Sequence, residues 1–448
     1  MRYLSFSTQH SALSTQHSAL STQHFRSLPL DFPLCYCREL GSISPAFRKR
    51  NLLLPSAETH MTNYQGFIAD RIRRVPVSGL HSFFGIAASM PDVISLGVGE
   101  PDFPTPSPIT KAGFDAVYDR AIGYTANAGL LELRKAISEN LEKLYGVSYD
   151  PDSEILVTVG VSEGFKCVFT AMIDEGDEVI VPHPCFVAYE PEIIFAGGNP
   201  VPVVTRAENA FEPLAEDIEA AITERTKAIF IGFPNNPTGA VLSRQNALEI
   251  ARVAEENELV VISDEIYDRL VYSEPHLCFP ALPGMRDRTV LMGGFSKDYA
   301  MTGWRVGYVC ANPELLAAFS KVHQYAVMSA PTISQFAALA AIEQGEPFVG
   351  RMREEYDRRR KMVISELNEM GLDCFEPKGA FYAFPSVAMT GLNGDEFAHR
   401  LLMEEQVAVV PGSSFGLGGG DHVRIAYCKS YEEIELAFNR IRSFLDRI

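Results

Sequence analysis

From about Met61 onward, short apolar runs alternate with segments whose apolar residues recur at helical spacing, and this alternation leaves few architectures open to the chain. Ile155 to Val159 is a strand-like run that ends at Gly160, and the segment after it puts Phe165, Val168, Phe169 and Met172 on one helical face. Glu178 to Val181, Ala228 to Phe233, Leu259 to Ile262 and Val290 to Met292 are further short runs. Such runs suit strands covered on both faces, so the expected fold class is α/β with a largely parallel sheet.

In open parallel sheets, ligands sit beyond the carboxyl ends of the strands, which makes the residues after each run a candidate list. They are Gly160-Val161-Ser162, Asn235-Asn236-Pro237-Thr238-Gly239, Ser263-Asp264-Glu265-Ile266-Tyr267 and Ser296-Lys297. A lysine, a carboxylate, a phenol, an amide and a glycine turn suited to phosphate are expected to converge there. That set fits an anionic aromatic cofactor.

Charge narrows the partners. Against 57 Asp and Glu stand 39 Lys and Arg, a net charge of -18, which repels phosphate backbones and anionic membranes and leaves small molecules as the expected ligands. The eight cysteines are scattered, with no CxxC pair and no disulfide framework, so a reducing, cytoplasmic setting and no metal are expected. No apolar run approaches the roughly 20 residues that span a bilayer.

The first sixty residues differ from the rest. Ser7 to Leu13 reads STQHSAL, Ser14 to Leu20 repeats it letter for letter, and Ser21 to His24 begins a third copy. Each copy offers only adjacent Ala and Leu where a coiled coil needs two separated seam positions. Two readings stand: a mis-assigned start, with Met61 the initiator, or an organelle transit peptide that is Ser-rich and poor in acids. Either way residues 1 to 60 lie outside the expected fold.

The motifs carry a resemblance. VISLGVGEPDFPTP (Val93 to Pro106), GYTANAGLLELR (Gly123 to Arg134), FPNNPTGA (Phe233 to Ala240), SDEIY (Ser263 to Tyr267), FSKDYAMTGWRVGY (Phe295 to Tyr308), KGAFYAFP (Lys378 to Pro385) and VRIAY (Val423 to Tyr427) occur in this order. From about Phe67 to the C-terminus the chain resembles the fold type I, class I/II aminotransferases, most of all their bacterial and archaeal aspartate and aromatic branch. The resemblance implies pyridoxal 5'-phosphate as cofactor, an L-amino acid and a 2-oxo acid such as 2-oxoglutarate as substrates, and a homodimer.

It also implies roles. Lys297 holds the cofactor as a Schiff base and shuttles the substrate proton, work that needs an amine with a lowered pKa. Asp264 pairs with the protonated pyridine nitrogen, while Tyr267 and Asn236 donate to the cofactor's phenolic oxygen. Gly160, Val161 and Ser162 present backbone amides to the phosphate, joined by Ser296 and Arg305. Phe186 stacks on the pyridine ring. Arg424 grips the substrate carboxylate bidentately, with Asn236 beside it, and Gly99 brings backbone close to that carboxylate. Tyr124 reaches the phosphate of the neighbouring subunit.

Each residue has a plainer reading: Asp264 as a turn or helix cap, Tyr267 and Phe186 as core, Asn236 and Ser296 as turn residues, Arg305 as a surface charge. His81-Ser82-Phe83-Phe84 falls where this branch lines its side-chain pocket and points toward aromatic or broad donors. A second arginine for a distal carboxylate has no evident position. The expected architecture is a large cofactor domain over residues 107 to 321 and a small domain from residues 61 to 106 with 322 to 448. Two rival functions remain: a carbon-sulfur lyase or cyclopropane-forming synthase on the same fold, and a metabolite-sensing regulator, which normally carries a helix-turn-helix that residues 1 to 60 lack.

Overall fold

The computed structural model describes residues 64–76, 85, 90–119 and 122–448. Residues 1 to 60 with their repeats, Met61, and the His81 to Phe84 segment lie outside the described residues. The described residues belong to one compact unit, Asn63–Ile448.

A two-residue strand, β1 (Ile94–Ser95), comes first. The central sheet follows, built from β2 (Ile155–Thr158), β3 (Glu178–His183), β4 (Asn199–Val204), β5 (Thr226–Gly232), β6 (Val260–Asp264), β7 (Thr289–Gly294) and β8 (Gly307–Cys310) in the order β2-β8-β7-β6-β5-β3-β4. Neighbours from β7 to β4 run parallel, and only β8 opposes the strands on either side of it. The largely parallel α/β sheet expected from the sequence is the one observed.

The short apolar runs have a direct cause. Successive side chains on a strand point to opposite faces. Val179, Val181, Phe230, Ile262 and Met292 enter one apolar layer with Phe165, Val168 and Phe169 of the helix Gly160–Met172. Their neighbours Ile180, Ile229, Ile231 and Val261 enter the opposite layer with Ile250 and Val253 of the helix Arg244–Glu256. Both faces are dry, so both sets must be apolar.

A second core gathers Ile94, Leu96, Tyr356, Val363, Phe381, Val423, Ile425 and Phe438. Here β9 (Tyr382–Ala383), β11 (Val410–Pro411) and β12 (Val423–Ala426) form an antiparallel sheet, while β10 (Val407–Ala408) pairs in parallel with β1. The amide of Leu96 donates to Ala408 at 2.9 Å, and that of Ala426 to Leu96 at 2.7 Å. These bonds tie the stretch after β1 against β12, which brings the Gly97 carbonyl to Arg424 and that of Gly99 to Lys297. The last helix, Tyr431–Leu445, opens with a Ser430–Glu433 capping box, a contact generally worth about 1 kcal/mol.

Candidate active site

The carboxyl ends of β2, β3, β5, β6 and β7 open onto one cavity of about 470 Å³. Asp264 ends β6 and is buried; the Tyr189 hydroxyl donates to its Oδ2 at 2.7 Å and the Ile266 amide to its Oδ1 at 3.2 Å. Burial pushes the Asp264 carboxyl up to about 6, with the Tyr189 bond pulling against it. Among the described residues no cation forms a salt bridge with Asp264.

Lys297 follows the end of β7, and its Nζ donates to the Gly99 carbonyl at 2.7 Å. Burial lowers the Lys297 ammonium to about 8; Cys428 opposes that shift, and the positive charge of Arg424 reinforces it. The Tyr267 and Tyr382 hydroxyls lie 2.8 Å apart. Burial pushes Tyr382 up to about 12 and Tyr267 well above the ordinary phenol range, so both stay protonated.

Arg424, on β12, is 4% exposed. Its Nη1 donates to Asn236 Oδ1 at 2.7 Å and its Nη2 to the Gly97 carbonyl at 2.5 Å, while its Nε is buried without a hydrogen-bond partner. The guanidinium lies between the rings of Tyr382 and Phe415, 4.6 and 4.8 Å from their centres. A full positive charge faces neutral groups here, and burial lowers its pKa.

At the opposite side, Gly160 opens its helix at a φ of +69°, a conformation natural to glycine. A Cβ there would sit 2.8 Å from Nη2 of Arg305, so any side chain would fill the space between the turn and that guanidinium. Arg305 is itself at a φ of +51° and donates from Nη1 to the Thr302 carbonyl at 3.0 Å. A Cβ on Gly307 would meet the amide nitrogen of Val161 at 2.9 Å, so β8 can pass beneath the turn only with glycine there.

Of the residues to which the resemblance gave a role, all but two line the cavity, whereas Asn235, Pro237, Thr238, Gly239, Ser263 and Glu265 of the strand-end list do not. Gly160 stands just behind the wall, against Arg305. Tyr124 is 86% exposed and lies apart from the cavity. Sequence reading missed Tyr189, the donor to Asp264, and Tyr382, the partner of Tyr267. Tyr189 stands three residues after Phe186 and Tyr382 lies within KGAFYAFP, but the contacts that give them meaning cross 75 and 115 positions. It also missed Glu100, which lines the cavity and accepts from the Thr302 hydroxyl.

A buried amine, a buried carboxylate, two paired phenols and a guanidinium with no salt-bridge partner among the described residues face one space, an arrangement able to bind an anionic amino acid and move its protons. Comparison with known proteins agrees. The model of the family "aminotransferase class I and II" matches residues 91–441. An aspartate aminotransferase of Pyrococcus abyssi is 45% identical over 381 residues, covering 84% of this chain and 98% of its own. An aromatic-amino-acid aminotransferase of Thermococcus litoralis is 40% identical, again over 84% and 98%. The crystal structure of an aromatic aminotransferase from Pyrococcus horikoshii superposes with a TM-score of 0.78 at 43% identity, over 82% of this chain and 99% of that one. Members of the family depend on pyridoxal phosphate, and relatives named for amino-group transfer favour that activity over the carbon-sulfur lyase. No helix among the described residues is long and apolar enough to cross a membrane. The chain therefore belongs to the class I and II aminotransferases.

Proposed function

We propose that this aminotransferase binds pyridoxal 5'-phosphate in the cavity at Lys297 and transfers the amino group of an aspartate-type or aromatic L-amino acid to a 2-oxo acid such as 2-oxoglutarate. The observation that carries the reading is the buried Arg424, whose Nε is unpartnered and whose charge meets no carboxylate in a salt bridge among the described residues. A substrate carboxylate satisfies both. The residues fit the cofactor as well: the Asp264 carboxylate forms no salt bridge among the described residues, and the space before Gly160 and Arg305 is one that a Cβ would fill.

When bound, the cofactor supplies an aldehyde carbon and an electron-withdrawing ring. Lys297, with an amine that is partly neutral near pH 8, would hold that aldehyde and would take the α proton of the substrate on Nζ. Asp264 would keep a positive charge on the ring nitrogen. Tyr267 and Asn236 would donate to the cofactor's phenolic oxygen; Ser296, Arg305 and the amides of Gly160, Val161 and Ser162 would hold its phosphate. Phe186 covers a ring face. Gly99, whose carbonyl holds Lys297 at 2.7 Å, supplies close backbone beside the substrate. Arg424 and Asn236 orient the carboxylate.

We read residues 107–321 as the cofactor-carrying lobe and residues 61–106 with 322–448 as the lobe that brings Arg424 to the substrate. The active unit is a homodimer: Phe114, Tyr118, Ile122, Tyr124, Tyr325 and Met328 are exposed apolar or aromatic side chains, more than a monomer's surface ordinarily gathers in neighbouring segments. Tyr124 then serves the neighbouring subunit's phosphate. Light scattering on purified protein is expected to read two chains per particle, and a monomer would remove Tyr124 from the site.

The activity is tested by titrating the loaded enzyme with aspartate, then phenylalanine, then alanine while following cofactor absorbance. Aspartate or phenylalanine is expected to convert the band, and 2-oxoglutarate to restore it. Release of pyruvate and ammonia from a cysteine-type substrate without an acceptor would instead mark a lyase.

A further inference from the structure

Behind the Gly160 turn lies a buried polar cluster that none of the assigned roles uses. Glu163 stands in the first turn of the helix Gly160–Met172, yet its side chain does not line the cavity. Its Oε2 accepts the amide of Val159 at 2.9 Å. Its Oε1 faces Nδ1 of His323 at 2.9 Å and accepts from Cys167 Sγ at 2.8 Å. His323 is fully buried on the helix Pro313–Ala326, and its Nε2 has no partner. The donor atoms of Glu163, Cys167 and His323 all lie within 4.8 Å of one another.

A carboxylate one turn into a helix whose N-terminus faces a dianion is repulsive unless it does something else there. Here it bends back, away from the cavity, and closes a loop onto Val159, the residue immediately before the turn. The amide of Val159 is thereby taken, and the next three, on Gly160, Val161 and Ser162, are those that a helix start leaves without intrahelical acceptors. The hydroxyl of Thr158 donates to the Gly160 carbonyl at 3.0 Å from the other side. The ring of His323 fixes the Glu163 carboxylate from a separate helix 160 positions away, so the orientation of the turn does not depend on the glycine alone.

We propose that the buried Glu163–His323 pair is the positioning unit of the Gly160–Ser162 turn and sets how tightly this enzyme grips the phosphate group of its cofactor. The inference rests on the reading that this turn takes the phosphate. Neither residue touches the cofactor; both act through the backbone of Val159 to Ser162.

The test compares pyridoxal phosphate with pyridoxal, which lacks the phosphate, in equilibrium titrations of cofactor-free protein. Wild type is expected to bind the phosphorylated form far more tightly. Glu163→Gln and His323→Leu are each expected to weaken pyridoxal phosphate by roughly tenfold, as for a lost buried charge-assisted hydrogen bond, and to leave pyridoxal unchanged. His323→Asn, whose amide can donate where Nδ1 stands, restores the difference. Equal weakening of both ligands, or of neither, overturns the positioning role. A wild type that does not distinguish the two ligands overturns instead the assignment of phosphate to this turn. The two separate single variants keep the comparison available where one of them does not fold.

Discussion

Lys297→Ala is expected to leave a folded protein that transaminates about 10⁴-fold more slowly, the upper end of what a positioned acid-base group contributes. Its Nζ is buried, held at 2.7 Å by the Gly99 carbonyl, and its pKa is lowered to about 8. Truncation removes both the attachment point and the proton carrier, and the small void next to Tyr267 and Phe381 leaves the surrounding core in place. The pH dependence follows from the same shift. Below pH 8 the amine is mostly protonated and cannot attack an aldehyde, so the rate at which cofactor-free wild type captures pyridoxal phosphate should rise about tenfold per pH unit up to pH 8 and then level. Stopped-flow absorbance reads this directly. A rate that keeps rising toward pH 10 would mean that Lys297 is not desolvated, and turnover of the alanine variant within tenfold of wild type would remove Lys297 from the mechanism.

Asp264→Asn should lower kcat by about 10³-fold, roughly 4 kcal/mol of transition-state stabilisation, with KM little changed. The substitution keeps the shape and one oxygen that can accept from the Tyr189 hydroxyl, and it removes the negative charge together with the acceptor for the Ile266 amide. That charge is costly to the empty protein. Burial raises the folded pKa from 3.8 to about 6, so the native state holds a proton that the unfolded chain releases. Stability of the cofactor-free enzyme therefore falls as pH rises from about 4 to about 6, and the asparagine variant should lack that fall. Thermal unfolding across this range checks the sign. A kcat within tenfold of wild type would show that the ring needs no counter-charge from Asp264.

How much of this was legible beforehand depended on whether a property is local. Lys297, Asp264 and the Gly160 turn each follow a short apolar run, and in a parallel sheet the end of a strand is where ligands go; their convergence could be read from order along the chain. Tyr189 and Tyr382 sit close to residues that were singled out but carry no local mark, since a buried tyrosine looks alike in sequence whether or not its hydroxyl meets a group of the site. Glu163 is more telling. Read alone, a glutamate in the first turn is an ordinary stabiliser of a helix dipole; that it turns back onto Val159 under the hold of His323 follows only from the packing of two helices distant in the chain.

The sequence by itself determined the α/β fold and the strand-end residues that line the cavity, because burial on both sheet faces and the residues closing each strand are properties of neighbouring positions. Only the tertiary structure decided the charge state and contacts of the site. The lowered Lys297, the raised Asp264 and the unpartnered Nε of Arg424 all arise from removing charges from water between elements far apart in the chain. Desolvation depends on what packs around a group, and no stretch of neighbouring residues fixes that.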